Sequence, residues 1–262
     1  MTLAQAIRSS GLAPHETRRL LCHACGLSEA QILGFPEKQI PGAAQRAFVD
    51  LLSRRKAGEP LAYIVGEKEF YGLALEVTPA VLIPRPETEL LVELALARDF
   101  SSLADLGTGC GAVAVALKRH RPVARVVAVD ASAAALAVAR RNAGRYGLDI
   151  AFREGSWFAP LRGEGFDLIV ANPPYVAAGD PHLAELRFEP QAALVSGADG
   201  LDALREIAAM APAHLTPGGW LLLEHGLGQD PAVRQLLGKA GLEEAQTWPD
   251  LSGIPRVSGA RR

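Results

Sequence analysis

A carboxamide followed by two prolines and a phenol is the arrangement in this chain with the plainest chemical use. Asn172-Pro173-Pro174-Tyr175 directly follows Phe166-Asp167-Leu168-Ile169-Val170-Ala171, an apolar run of strand length. The residue before a proline is pushed toward extended geometry, and neither proline can donate to a ladder, so the chain has to leave a sheet here. Asn172 is thereby expected at the C-terminal end of a strand, the edge at which open α/β sheets bind ligands. Its side chain carries an acceptor oxygen and an NH2 donor, the Pro173 carbonyl is a further acceptor, and Tyr175 presents a flat apolar face. Such a corner suits a planar NH2 group. An Asn-Pro-Pro turn by itself is also what ends an ordinary core strand, so its weight depends on what accompanies it.

The companion motif lies upstream. Gly107-Thr108-Gly109-Cys110-Gly111 stands between a short strand, Leu103-Ala104-Asp105-Leu106, and a helix over Ala112 to Arg119. Glycines in that position let the backbone approach a ligand closely. The spacing is G-x-G-x-G, which differs from the dinucleotide fingerprint G-x-G-x-x-G. Asp130 ends the next strand, Val126-Val127-Ala128-Val129, about 20 residues on, where a carboxylate can accept hydrogen bonds from both ribose hydroxyls. Taken with the Asn172 corner, these features indicate a site for S-adenosylmethionine. Trp157, after a strand at Ile150 to Arg153, is open to two uses, covering an adenine face or filling the core.

These groups are positioned by an alternation of strands and helices. Beyond the strands already named come a helix over Ala133 to Arg145, strands at Leu168 to Ala171 and Trp220 to Leu223, and helices at about 201–214 and 230–240. This pattern predicts a parallel sheet covered on both faces, with Glu243 to Trp248 and Arg256 to Ala260 as a closing antiparallel pair. Residues 1 to about 60 read instead as helices, opened at Pro14 and Pro41 and interrupted at Gly26. Cys22-His23-Ala24-Cys25 falls within one of them without a second ligand pair, so small buried residues are expected rather than a metal. Glu67 to Thr78 suggests a hairpin or connector. Val81 to Glu89 leads into a helix through Leu90, Leu91, Leu94 and Ala95, with Pro86 and the acidic residues in its first turn. Arg85 and Glu87 are there equally readable as surface charges or as site groups.

Composition narrows the class. Of 262 residues, 49% are hydrophobic and 21% charged, with a net charge of -2, so there is no global surplus of Lys and Arg to reward a nucleic-acid backbone. No apolar run approaches the roughly 18 residues of a membrane span, and no basic-then-apolar leader opens the chain, so a cytoplasmic location is expected. Cys22, Cys25 and Cys110 do not make a disulfide framework.

Several stretches together resemble the glutamine methyltransferases that modify peptide chain release factors. They are Pro60-Leu-Ala-Tyr-Ile-Val-Gly-Glu-Lys-Glu-Phe-Tyr-Gly72, Leu82-Ile-Pro-Arg-Pro-Glu-Thr-Glu89, Asp105-Leu-Gly-Thr-Gly-Cys-Gly111, Asn172-Pro-Pro-Tyr175 and Leu222-Leu-Glu-His-Gly226. The resemblance spans nearly the whole chain. It implies an α/β fold: a seven-stranded Rossmann-like S-adenosylmethionine-dependent methyltransferase domain with a reversed last strand, over residues 81–262. A hairpin or linker over 67–80 and a small N-terminal helical domain for substrate recognition over 1–66 would precede it. The expected cofactor contacts are Gly107, Thr108, Gly109, Cys110, Gly111, Asp130, Trp157 and Asn172. Asn172, Pro173, Pro174 and Tyr175 would hold the substrate glutamine, with Asn172 and Pro173 as the catalytic acceptors and no metal. Ser156 departs from the family pattern, which often has Asp before the tryptophan, and so leaves an adenine amino contact to a hydroxyl or a backbone carbonyl. The expected partner is a release factor, with neither nucleic-acid substrate nor membrane. Two alternatives remain at this stage: methylation of an exocyclic amino group in DNA or RNA, whose planar NH2 fits the same corner once the base is flipped out, and a non-catalytic S-adenosylmethionine-binding adaptor.

Overall fold

The computed structural model describes residues 1–262, which form two compact units, Met1–Glu67 and Lys68–Arg262. The first unit is helical: α1 (Leu3–Ser9), α2 (Pro14–Cys25), α3 (Glu29–Gly34), α4 (Gly42–Lys56) and α5 (Leu61–Val65). Local chemistry sets its boundaries. Thr2 with Gln5 and Ser28 with Gln31 form reciprocal capping boxes at the starts of α1 and α3. Pro14 opens α2, and Gly26 closes it in the left-handed conformation that a Cβ would disfavour. Leu3, Ala6, Leu20, Leu21, Ile32 and Phe48 are buried together as the core of this unit. Because Leu20 and Leu21 take the inward face of α2, Cys22 and Cys25 are left half-buried at the core's margin, less enclosed than expected.

The second unit begins with a hairpin, β1 (Glu67–Phe70) and β2 (Leu73–Glu76), turned by Tyr71 and Gly72, both at positive φ. This segment, expected as a hairpin or connector, is a hairpin fastened into the second unit. Asn142 accepts from the Glu76 N–H at 2.7 Å, and its NH2 donates to the carbonyls of Glu76 at 3.0 Å and Cys110 at 2.8 Å. A short 3-10 turn at Pro86–Thr88 then enters α6 (Glu89–Leu96). The alternation follows as β3 (Ser102–Leu106), α7 (Ala112–His120), β4 (Arg125–Asp130), α8 (Ala133–Arg145), β5 (Ala151–Glu154), β6 (Phe166–Ala171), α9 (Asp202–His214), β7 (Leu215–Glu224), α10 (Asp230–Lys239), β8 (Glu243–Pro249) and β9 (Pro255–Arg261). No helix is long and apolar enough to cross a membrane.

The seven strands run in the order β5-β4-β3-β6-β7-β9-β8. All neighbours from β5 to β7 are parallel, whereas β9 is antiparallel to both β7 and β8. Central strands read as continuous apolar runs because helices cover both faces: Val127, Ala128 and Val129 in β4 and Leu221, Leu222 and Leu223 in β7 are fully buried. Chain order reverses between β3 and β6. The first crossovers build outward through β4 to β5, then the chain returns to lay β6 on the other side of β3, so the C-terminal ends of β3 and β6 flank the switch point where such sheets accept ligands.

The reversed strand demands a residue without a side chain. A Cβ on Gly259 would lie 2.5 Å from Leu222 Cδ2 and 2.7 Å from the Leu221 carbonyl oxygen, with the Trp248 ring at 3.2 Å. The β7 backbone would have to move and the Trp248 ring to give way. Gly259→Ala should therefore destabilise the protein by about 1–3 kcal/mol through overpacking, measured as a shift of the urea midpoint; an unchanged midpoint would show that β9 is not wedged as described.

Candidate functional site

Strand register brings the candidate residues together. Leu106 pairs with Val129 of β4 and with Ala171 of β6, and Ala171 pairs in turn with Leu223 of β7. Asp130, Asn172 and Glu224 each stand one residue past the paired positions, and Gly107 one residue past Leu106. The four residues line one edge of the sheet.

The turn after β3 is held by its own backbone. Gly107 and Thr108 both donate N–H to the Val129 carbonyl at 2.9 Å, and the Gly111 N–H donates to the Thr108 carbonyl at 2.8 Å. Gly107, Gly109 and Gly111 all have positive φ, which an L side chain resists by about 1–2 kcal/mol. Gly111 has a second constraint, since a Cβ there would come within 3.1 Å of Ala139 Cβ on α8. Asp130 stiffens the loop further: Oδ2 accepts from the Gly109 N–H at 2.8 Å and Oδ1 from the Ser132 N–H at 2.9 Å. Each oxygen keeps a lone pair for an incoming hydroxyl. Cys110 is buried, and burial pushes its thiol up to about 12, so it stays a neutral packing group.

Trp157 fills part of the core and also faces the glycine turn. Its backbone is held at φ 43, an uncommon conformation for a bulky residue. Its half-buried ring packs against the main core and also lies over Gly107, where a Cβ would come within 3.2 Å of ring atom Cζ3. The absent side chain at Gly107 thus leaves room for a flat aromatic wall beside the turn. Ser156 is exposed next to it.

The Asn172 corner is built from three chain segments. The Asn172 Nδ2 donates to Thr88 Oγ1 at 3.1 Å. No group of the chain donates to its Oδ1 or to the Pro173 carbonyl. Pro173 is buried, while Pro174 and Tyr175 are half-buried. The Tyr175 carbonyl accepts from Gln229 Nε2 at 3.0 Å, and Gln229 Oε1 accepts from the Gly226 N–H at 2.8 Å. Gly226 is small for a reason: a Cβ there would come within 3.2 Å of the Tyr175 ring. Burial pushes the Tyr175 hydroxyl well above its ordinary range, and the Glu224 carboxylate adds to the effect, while Arg256 and Arg85 oppose it. Tyr175 is accordingly a neutral ring.

The segment Arg85-Pro86-Glu87-Thr88-Glu89 is more than a helix entry. Arg85 pairs through Nη2 with Glu189, which is buried and also accepts from the Ile83 N–H at 3.0 Å. Arg85 is therefore only partly exposed and clamps this segment to the stretch that follows the Asn172 corner. Glu87 is half-buried. His225 is fully buried with its Nδ1 against the Gly226 carbonyl at 3.1 Å and its Nε2 against Ser258 Oγ at 2.9 Å. Burial holds its imidazole below the ordinary value; Nε2 ties the end of β7 to β9, while Nδ1 is taken up by the neighbouring carbonyl.

Sequence reasoning passed over Thr88, Asp105 and Glu224 as site groups. All three sit inside the stretches that carried the family resemblance, which was the available signal. Asp105 is 2% exposed, its Oδ2 accepts from Thr108 Oγ1 at 2.6 Å, and burial pushes it up to about 6.

Residues 86–246 match the Methyltransferase small domain model, and residues 2–66 match the PrmC N-terminal domain model. Among curated proteins, a "Release factor glutamine methyltransferase" of Xylella fastidiosa is 51% identical over 94% of this chain and 92% of its own length. One from Burkholderia pseudomallei is 48% identical over 99% of this chain and 96% of its own length. Among solved structures, a methyltransferase from Pyrococcus furiosus, 19% identical, superposes with a TM-score of 0.58 over 80% of this chain and 98% of that one, a likeness of fold.

Asp105 makes the glycine turn sensitive to pH. Its folded value of about 6 lies above the ordinary carboxylate value of 3.8, so its contribution to stability is complete below about pH 4 and is lost as pH rises through about 6. The Thr108 hydroxyl opposes that loss by bonding the ionised form. Thr108→Val should cost about 1.5–3 kcal/mol at pH 8, the range for a hydrogen bond to a charged group, and distinctly less at pH 5. Equal losses in urea midpoints at the two pH values would contradict this account.

Proposed function

The chain belongs to the release factor glutamine methyltransferases, and from that premise we infer that it methylates the side-chain amide nitrogen of a glutamine in peptide chain release factors, using S-adenosylmethionine. The observation that carries this reading is the register that sets Gly107, Asp130 and Asn172 on neighbouring strand ends. The residues present suit the cofactor. A glycine turn with Trp157 over it offers a flat slot, and Asp130 offers a charge-assisted acceptor to two hydroxyls. We assign Gly107, Thr108, Gly109, Cys110, Gly111, Asp130, Trp157 and Asn172 to the cofactor, and Asn172, Pro173, Pro174 and Tyr175 to the substrate amide. The helical unit is assigned to recognition of the release factor, and the enzyme to the cytoplasm, where translation termination takes place.

Bound S-adenosylmethionine supplies an electrophilic methyl group on a sulfonium. The difficulty lies with the nucleophile, because an amide nitrogen delocalises its lone pair into the carbonyl; the rotation barrier of roughly 18–20 kcal/mol measures that commitment. Asn172 Oδ1 and the Pro173 carbonyl, neither engaged by the chain itself, can accept the two amide hydrogens. That grip turns the nitrogen so that its lone pair faces the cofactor side of the sheet edge, while Tyr175 stacks as a neutral plane. Holding reacting atoms in line contributes up to roughly 7–11 kcal/mol in the best intramolecular cases. The nitrogen becomes acidic only as the new bond forms, so these weak acceptors suffice and no strong base is required beforehand. Transfer of labelled methyl to a release factor, run beside DNA and RNA, tests the substrate class; labelling confined to nucleic acid would refute the reading in favour of its nearest alternative.

Cofactor affinity should depend on the second unit alone. Asp130→Ala is expected to weaken S-adenosylmethionine binding by about 1.5–3 kcal/mol, whereas removal of residues 1–66 should leave affinity nearly intact and greatly reduce turnover of a whole release factor. Calorimetry on both variants checks this; unaltered affinity in Asp130→Ala removes the carboxylate from the site, and lost affinity in a folded truncation removes the division of labour.

Asn172→Ala should lower single-turnover methylation far more than it weakens cofactor binding, since the lost contact is worth most in the transition state. Asn172→Asp keeps an acceptor at the same place and should retain more activity than Ala. A folded Asn172→Ala enzyme within threefold of wild type would sink the mechanism.

A further inference from the structure

We propose that Glu224 is a positioning residue that fixes which way round the Asn172 carboxamide is held, and so presents Oδ1 to the substrate. The proposal rests on the reading above, in which Asn172 grips the substrate amide. Its starting point is register: Ala171 of β6 pairs with Leu223 of β7, so the next residues, Asn172 and Glu224, stand side by side at the sheet edge. Glu224 is 1% exposed, forms no ion pair, and its Oε2 is buried with no hydrogen-bond partner. A buried carboxylate with one oxygen left without a partner is costly to keep. It is therefore a candidate for work that a Leu, the residue at the three preceding positions of β7, could not do.

That work is to set polarity. The Glu224 carboxyl lies beside the Thr88 hydroxyl and the Asn172 carboxamide, and Asn172 Nδ2 itself donates to Thr88 Oγ1 at 3.1 Å. A carboxylate is an acceptor only. Facing it, the Thr88 hydroxyl turns its hydrogen toward Glu224 and its lone pairs toward Asn172, and the carboxamide turns its NH2 inward. Oδ1 is then the atom left at the outer side of the corner. The flipped carboxamide would place Oδ1 among acceptors and offer the substrate an NH2, which cannot receive an amide hydrogen.

This arrangement has a proton-dependent strength. Burial pushes Glu224 up to about 7; the Thr88 hydroxyl lowers it, Glu87 raises it, and Arg256 and the Asn172 carboxamide lower it. The Tyr175 hydroxyl, which also faces it, stays neutral, and burial holds the neighbouring His225 below its ordinary value. Once protonated, Glu224 can donate as well as accept and no longer distinguishes the two orientations of Asn172.

The test uses the full chain with S-adenosylmethionine and a release factor in single turnover between pH 5.5 and 8.5. Wild type should lose rate with about unit slope in a logarithmic plot below about pH 7. Glu224→Gln, which offers both a donor and an acceptor, should be at least about tenfold slower at pH 8 and flat across the same range, with cofactor Kd unchanged within about twofold. A purely structural role would not flatten the pH profile. Should Glu224→Gln not fold, Thr88→Val carries the same test, and Thr88→Ser should restore the rate. An active wild type whose Glu224→Gln variant runs within about threefold of it, or keeps its pH dependence, overturns the role of Glu224. A wild type that transfers no methyl to the release factor at pH 8 overturns instead the function on which the proposal rests.

Discussion

The pairing of β6 against β3 is the constraint on which the rest of the second unit depends. Until β6 lies parallel to β3 with Ala171 opposite Leu106, the glycine turn and the Asn172 corner are separate loops with no common site. Once it does, the helices that cover the two faces can only be placed as observed, and strand ends from four segments converge on one edge. The apolar runs in β4, β6 and β7 bury both faces of the sheet, and a shift of one residue would turn every side chain of a strand to the opposite face and change which residue ends it. Residue-level register, more than any single contact, is therefore what the site is made from.

Around that edge the chain uses small residues and buried polar groups for complementary purposes. Gly107, Gly226 and Gly259 are absences of side chains that let Trp157, Tyr175 and the β7 backbone come close. Asn142, Asp130 and Gln229 do the reverse, each joining two or more backbone segments that sequence separates widely. Close approach without such staples would leave the loops free to drift; staples without close approach would not reach.

Much of this was legible in the residues, and the reason is local. Pro14, Gly26 and Pro86 punctuate their helices by their own backbone restrictions, and α8 lies over Ala133–Arg145 as its periodicity requires. The Asn172 corner was legible because the prolines force the chain out of the sheet wherever the strand lies. What was not legible depends on partners far along the chain. Thr88 and Asn172 are 84 positions apart, and Arg85 is equally readable as a surface charge or a site group until Glu189 is placed beside it. β7 begins at Leu215, earlier than the apolar run at Trp220, because Pro217 and the following glycines mask a strand that tertiary pairing with Phe166 enforces. Glu224 was not singled out for the same reason: burial is a property of the assembled sheet.

The position of β9 bears on how the sheet is completed during synthesis. β8 leaves the ribosome before β9, yet in the sheet β9 lies between β7 and β8, so β8 has no strand to pair with until residues 255–261 have been made. Through that interval β7 carries an open edge of unpaired backbone groups beside its fully buried Leu221, Leu222 and Leu223, a surface that other nascent strands could join. β8 can therefore enter the sheet no earlier than β9, whether the two arrive as a hairpin or β9 pairs with β7 first.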